Sequence, residues 1–395
     1  LEPEAVEVTA GDALTLTTET LVGNAGRMSV SLSNLPEVVR QGDTIFLNDG
    51  LVQLEVVWTK GADVETRDIA GGELRSRKGL NLPGVDLGTR AFTPRDHECL
   101  RFALEHGVDA VSQSFVDRKE DLLAVREAAR ALGADPMVIA KIERAGALER
   151  LDEILEAADG LMVARGDLGV EIPIEDIAEA QKHLVRKANL AGKPVITATQ
   201  MLESMTWSPR PTRAEATDVA NAVLDGTDAV MLSGESAIGR YPVKATRMLA
   251  RIAASIEPRL EASRRSRDLE TIETESLVRP QDLIALSVET VVRRVVPDAV
   301  IVPTRSGVTA ARLARFRLPV WITAVTVDPS TYHVLLFVYG VAPVLVDERP
   351  DDWRAFARAW MAEVGIEGRH VVLTEGPSRK RPKASDRMEL INLER

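Results

Sequence analysis

Five polar residues, Ser114, Lys141, Asp167, Thr199 and Ser233, each close an apolar run that reads as a strand, and they follow one another at intervals of 27, 26, 32 and 34 residues. Between the runs lie stretches of helical periodicity, at 119–132 and 148–158. An interval of that length holds one strand and one crossover helix, which confines this part of the chain to parallel βα units of an α/β fold. In a (β/α)8-type barrel the chemistry gathers on the loops at the carboxyl ends of the strands, so the five residues would meet at one mouth. Five such units are visible, and a closed barrel needs eight.

The chemistry concentrates at two of these strand ends. In Val138-Ile139-Ala140-Lys141-Ile142-Glu143 the two-residue period of a strand puts Lys141 and Glu143 on one side and Ile142 on the other. Asp167 follows Glu143 by 24 positions, where the run Gly160-Leu161-Met162-Val163-Ala164 breaks at Gly166-Asp167. A hard cation such as Mg²⁺ takes one or two protein carboxylates and completes its shell with water and substrate oxygens, which suits Glu143 and Asp167 as a pair. The bland readings are an ion-paired strand edge for Lys141 and Glu143, and a turn former for Asp167.

Periodicity divides the chain into three parts. Residues 1–83 alternate on a two-residue scale and are broken by Gly-containing turns at 10–12, 41–43, 48–50 and 70–72, as in a small β-barrel lid module. Residues 84–258 carry the βα units. After a Glu- and Arg-rich stretch at 261–280, alternation resumes with strands near 299–302, 320–326, 343–346 and 370–373, a C-terminal doubly wound α/β domain spanning 259–395.

Composition bounds what such a chain does. With 49 basic against 60 acidic residues the net charge is −11, which argues against nucleic acid as a partner, since phosphate contacts need clustered positive charge. Cys99 is the only cysteine, so an internal disulfide and a cysteine metal site are excluded and a reducing, cytoplasmic setting is expected. No apolar run has the length of a membrane span, and the acidic start Leu1-Glu2-Pro3-Glu4 lacks the basic and apolar order of a signal peptide. The five histidines show no metal-ligand spacing.

Several long stretches closely resemble the pyruvate kinase family: Lys141-Ile142-Glu143; Met162-Val163-Ala164-Arg165-Gly166-Asp167-Leu168-Gly169-Val170-Glu171-Ile172-Pro173; residues 191–205 with Thr199 at their centre; Pro209-Arg210-Pro211-Thr212-Arg213-Ala214-Glu215; and residues 218–235. The likeness extends back to Lys78-Gly79-Leu80-Asn81-Leu82-Pro83-Gly84 and forward to Pro303-Thr304-Arg305-Ser306-Gly307. In that family three βα units precede the inserted β domain and carry phosphate and K⁺ ligands. The resemblance therefore implies that three barrel units, and the usual K⁺ ligands, are absent ahead of Leu1.

The resemblance implies a glycolytic enzyme that moves a phosphoryl group from phosphoenolpyruvate to ADP, giving pyruvate and ATP, with Mg²⁺ or Mn²⁺ and K⁺ as ions and a homotetramer as assembly. It implies Glu143 and Asp167 as metal ligands, Lys141 beside the transferring phosphoryl group, Gly166 and Asp167 amides at the substrate carboxylate, Thr199 on the protonated face of the enolate, and Lys78 near the nucleotide phosphates. Thr304, Ser306 and Thr309 resemble a loop that receives the phosphate of a sugar-phosphate effector, which the basic run 378–383 would complete. Arg210 and Arg213 would order a loop or meet a neighbouring subunit. Two further readings stand beside this one: a metal-dependent aldolase or lyase acting on the pyruvate enolate, and a catalytically impaired relative or fragment that keeps the fold for assembly.

Overall fold

The computed structural model describes residues 1, 5–48, 50–85, 88, 91–260, 280–375 and 387–394. The first eight strands are β1 Ala5–Val8, β2 Ala13–Thr17, β3 Arg27–Ser29, β4 Thr44–Leu47, β5 Val52–Lys60, β6 Asp63–Ala70, β7 Gly72–Arg75 and β8 Leu80–Asn81. Six of them form one sheet in the order β3-β2-β6-β5-β4-β8, and β1 pairs with β7 in a separate ribbon. Alternation drives this: Val52, Leu54 and Val56 point inward from β5, and with Leu14, Leu16, Ile45 and Val64 they make a core excluded from water. Each such side chain contributes roughly 1.5–3 kcal/mol by burial. Among the described residues the outer strands β3 and β8 are not paired with each other, and the β1-β7 ribbon contributes Val6, Val8 and Leu74 to the same core.

The second sheet is parallel: β9 Ala110–Gln113, β10 Met137–Ile142, β11 Gly160–Ala164, β12 Val195–Ala198 and β13 Ala229–Val230, laid side by side in chain order. Every residue of β11 is buried, which is why its sequence is a continuous apolar run with no alternation. Helices cover the sheet by the usual stripe. The helix Lys119–Ala131 turns Leu122, Val125 and Ala129 inward, into the core shared with Leu151, Ile154 and Leu155. The helix expected over 148–158 is two short ones, Ala145–Glu149 and Leu151–Ala157, meeting at Arg150. Helix Arg213–Asp225 begins with a reciprocal cap between Thr212 and Glu215 and ends at Gly226, whose φ of 97° is a left-handed stop.

The third sheet has the order β16-β15-β14-β17-β18, from β14 Ala299–Pro303, β15 Ile322–Thr326, β16 Val341–Leu345, β17 His370–Glu375 and β18 Arg387–Asn392. The order reverses between β14 and β17, as a doubly wound domain requires, and only β18 runs antiparallel. β18 has no counterpart in the sequence reading, and the basic run 378–383 lies outside the described residues. Among the described residues no helix is long and apolar enough to cross a membrane.

The C-terminal domain is bolted to the amino-end side of the parallel sheet. Arg317 pairs with Asp228 at 2.7 Å with both side chains buried, and its ring neighbour Tyr339 lies 4.8 Å from the guanidinium carbon. The same Asp228 accepts from the amide of Val195, the first residue of β12, at 3.0 Å.

Candidate active site

Strand register assembles the site. Ala140 stands opposite Gln113, so Lys141 leaves β10 level with Ser114, and Lys141 Nζ donates to Ser114 Oγ at 2.9 Å. Ile142 stands opposite Val163, which puts Glu143 level with the end of β11 where Arg165, Gly166 and Asp167 begin a helix. Ala164 stands opposite Ala198, so that helix start lies beside Thr199. The amide of Gly166 donates to Thr199 Oγ1 at 2.8 Å. Lys141, Glu143, Gly166, Asp167 and Thr199 therefore leave three adjacent strands at one level.

Glu143 is 1% exposed, and both carboxylate oxygens are engaged: Oε1 with Lys141 Nζ at 2.5 Å, Oε2 with the amide of Phe115 at 2.6 Å. A carboxylate sequestered from water survives ionised only with such partners. Phe115 reaches it from a left-handed backbone conformation, φ 55°. Ser114 and Phe115 thus orient the lysine and the carboxylate, a role that sequence reading did not give them. The available signal was position alone, since Ser114 closes the strand next to Lys141.

Among the described residues no three His, Cys, Asp or Glu side chains cluster as a metal cage. Glu143 and Asp167 supply hard oxygen donors and no more, a set that fits Mg²⁺ or Mn²⁺ sharing its shell with substrate and water, and does not fit a structural zinc.

Arg165, read in the sequence only as part of a motif, is 9% exposed and lies under the Thr199 turn. Ser233 donates its amide to the buried Glu235 at 2.8 Å, as Leu202 does at 2.9 Å, so Glu235 ties the loops after β12 and β13 together. This agrees with a structural reading of Ser233. Arg210 and Arg213 are exposed.

Lys78 lies between β7 and β8 and lines a cleft of about 950 Å³. The lid wall of that cleft includes Arg75, Ser76 and Arg77, and its opposite wall is Phe115, Arg144 and Glu171. Arg144 reaches back to the carbonyl of Val85 at 2.9 Å. The cleft thus runs from the connection between β7 and β8 to the residue whose amide holds Glu143. In the C-terminal domain, Thr304 Oγ1 accepts from the amide of Gly307 at 2.9 Å, while Ser306 is exposed and lines a separate cavity of about 570 Å³ against Gly192, Lys193 and Pro194. Thr309 follows in the helix Val308–Ala314.

Burial raises the Glu171 carboxyl above its ordinary value of 4.5; Arg144 and the amide of Ala145 oppose this, while Asp117 and Asp167 add to it. The folded protein holds a proton there that the unfolded chain releases. The stability this group contributes is therefore complete below pH 4.5 and is lost as pH rises through the raised folded value. Glu171→Gln removes the dependence, so the melting temperature of the variant relative to the parent should climb between pH 4.5 and neutrality. A difference that stays flat in thermal melts across that range would contradict the assignment.

A lysine, two carboxylates and a hydroxyl stand together at the carboxyl edge of a parallel βα sheet, beside a cleft, a donor set that suits an enzyme of α/β barrel type handling anions with a hard cation. The sequence matches the family described as pyruvate kinase, barrel domain, over residues 2–246 and pyruvate kinase, alpha/beta domain, over residues 282–391. The chain belongs to the pyruvate kinase family. It is 43% identical over 379 residues to a pyruvate kinase of Thermococcus litoralis, covering 95% of this chain and 79% of the relative. A Thermotoga maritima pyruvate kinase is 40% identical over 380 residues, 95% of this chain and 80% of that one. A pyruvate kinase of Geobacillus stearothermophilus is 42% identical over 348 residues, 86% of this chain and 58% of the relative. Among solved structures, a pyruvate kinase from Cryptosporidium parvum superposes with a TM-score of 0.86 at 32% identity, over 99% of this chain and 80% of that one. The expectation that three barrel units are absent finds no support in these matches.

Proposed function

We propose that the chain transfers the phosphoryl group of phosphoenolpyruvate to ADP, the reaction its relatives are named for. The observation that carries this is the grouping of Lys141, Glu143 and Asp167 at one sheet edge, within a family match that runs through all three parts of the chain. In the reaction the bond from phosphorus to the enol oxygen breaks, a bond to a terminal oxygen of ADP forms, and C3 of the enolate takes a proton. Phosphoenolpyruvate, ADP and one proton thus give pyruvate and ATP.

Glu143 and Asp167 would hold the divalent cation, Mg²⁺ or Mn²⁺. A cation bound there supplies Lewis-acid stabilisation of negative charge on the enolate and carboxylate oxygens. Lys141, anchored on Ser114, offers a fixed positive charge to the phosphoryl oxygens in flight, where positioning and charge are most of what the protein can contribute. The Thr199 hydroxyl donates to the carbonyl of Ala198 at 2.7 Å and accepts from Gly166, which leaves one lone pair to orient the water that protonates C3. Reception of the substrate carboxylate by the Gly166 amide requires that amide to exchange its bond to Thr199. K⁺ completes the expected ions, and the roles of these residues do not pass through it.

The three-part division at 1–83, 84–258 and 259–395 gives the lid one task, closing Lys78 over the nucleotide phosphates and excluding water. Lys78→Ala should raise KM for ADP by about tenfold, the ~1.4 kcal/mol of one partly solvated charge contact, with kcat nearly unchanged. Steady-state kinetics at varied ADP test it, and an unaltered KM rejects the role. The loop of Thr304, Ser306 and Thr309 remains the place for a phosphorylated effector, and the exposed Arg210 and Arg213 for a neighbouring subunit of a homotetramer. The test of the reaction is pyruvate formation from phosphoenolpyruvate and ADP with Mg²⁺ and K⁺. It should cease on chelation and return with Mg²⁺ or Mn²⁺. Turnover that ignores chelation would reject the proposal, and exchange of the pyruvate methyl hydrogens without ADP or ATP would favour the aldolase or lyase reading.

A further inference from the structure

Thr199 and Gln200 carry successive positive φ angles of 67° and 54°. The left-handed region is costly for any residue with a Cβ, and most of all for a β-branched one such as threonine. Two such residues in a row persist only where their surroundings hold them. The largest part of that hold is a single side chain. Arg165 donates from Nε to the carbonyl of Ala198 at 3.3 Å and from one terminal nitrogen to the carbonyl of Thr199 at 2.7 Å and to Met201 Sδ at 2.8 Å. Its other terminal nitrogen donates to Gln181 Oε1 at 3.3 Å and to Asp218 Oδ1 at 2.7 Å. A guanidinium has five N–H groups, and here each has an acceptor.

Three of those five acceptors belong to the turn, and the other two fix the arginine to the helices Ile177–Ala191 and Arg213–Asp225. The next residue along, Gly166, holds the Thr199 hydroxyl at 2.8 Å. The carbonyl and the hydroxyl of Thr199 are thus gripped by consecutive residues, one position before Asp167. We infer that Arg165 is a positioning residue for the reaction: through the strained turn it fixes Thr199 Oγ1 relative to Asp167, with Asp218 as its charge partner. The inference rests on the role proposed for Thr199 in protonating the enolate.

Lysine in its place keeps the charge but has three donors on a flexible stem, and cannot span Ala198, Thr199 and Met201 from one plane. With the clamp gone the turn relaxes toward negative φ and the hydroxyl leaves its place. A displacement of about 1 Å in a reacting group costs up to about a hundredfold. Arg165→Lys should therefore lower kcat by roughly tenfold to a hundredfold, with KM for phosphoenolpyruvate shifted by less than about threefold.

The deciding experiment is a kinetic double-mutant cycle of Arg165→Lys with Thr199→Val, each folded by circular dichroism. If Arg165 acts through Thr199, the double variant loses no more than about twofold beyond Thr199→Val alone. Losses that multiply overturn the inference, as does an Arg165→Lys enzyme with parental kcat. Should Arg165→Lys fail to fold, Asp218→Asn replaces it in the same cycle, because without its charge partner the guanidinium is free to shift away from its three acceptors in the turn. A Thr199→Val enzyme with parental kcat removes the role of Thr199, and this inference with it. Loss in Thr199→Val beside a fully active Arg165→Lys removes the inference alone.

Discussion

Glu143→Gln is expected to lower kcat/KM for phosphoenolpyruvate by on the order of a thousandfold, or ~4 kcal/mol of transition-state stabilisation, while the chain stays folded. The carboxylate is 1% exposed, and its charge is the reason a lysine and a main-chain amide converge on it. Glutamine fills the same space and can still accept from the Phe115 amide with its carbonyl oxygen. What it removes is the negative charge, and with it the attraction for a divalent cation and for Lys141. Mn²⁺ binding, followed by electron paramagnetic resonance, should weaken in parallel with turnover. Mn²⁺ affinity equal to that of the parent, or a loss in kcat/KM below about tenfold, would show that the metal is held elsewhere. Lys141 would then keep its place beside Ser114 but lose its neighbour in the mechanism.

Asp228→Ala is expected to have the largest effect on stability, about 3–5 kcal/mol, because it strands a buried cation. Arg317 and Asp228 have side chains 3% and 4% exposed and lie 2.7 Å apart. Arg317 also donates to Asn189 Oδ1 at 3.0 Å and to the carbonyl of Gly226, but those are neutral acceptors. Asp228 accepts from the amides of Tyr339 at 3.1 Å and Val195 at 3.0 Å, so alanine leaves both donors without it as well. Removing both charges together, Asp228→Ala with Arg317→Met, should recover part of the loss, since the two amides are equally unpartnered in both variants but no uncompensated charge remains. Urea unfolding of the three proteins decides this. If the double variant is no more stable than Asp228→Ala, the cost lies in the amide bonds and the charges are incidental.

Much of this protein could be read from short stretches of chain. The apolar run 160–164, the stripe of Leu122, Val125 and Ala129, and the spacing of Ser114, Lys141, Asp167, Thr199 and Ser233 are local patterns, and they yielded the parallel sheet and the strand ends that face one mouth. Lys141 and Glu143 could be paired because side-chain direction in a strand follows from a period of two, and Asp167 could be placed because the apolar run breaks just before it. The helix at 148–158 was read as unbroken because nothing in its composition marks the break at Arg150. In residues 1–83 alternation marks strands and turns, but which strand edges pair, as in the order β3-β2-β6-β5-β4-β8, is not written in it.

The sequence alone determined the class of fold, the family likeness and which polar side chains stand at the strand ends, since each depends on residue types at short, fixed spacings. Tertiary structure decided how those side chains are held. The amide of Phe115 on Glu143 spans 28 residues, Arg165 on Thr199 spans 34, and Arg317 on Asp228 spans 89. Such contacts depend on the register between strands and on left-handed backbone at Phe115, Thr199 and Arg317, conformations a β-branched, aromatic or long side chain does not favour by itself. Only the packed neighbours, acting across those distances, make them the lowest state.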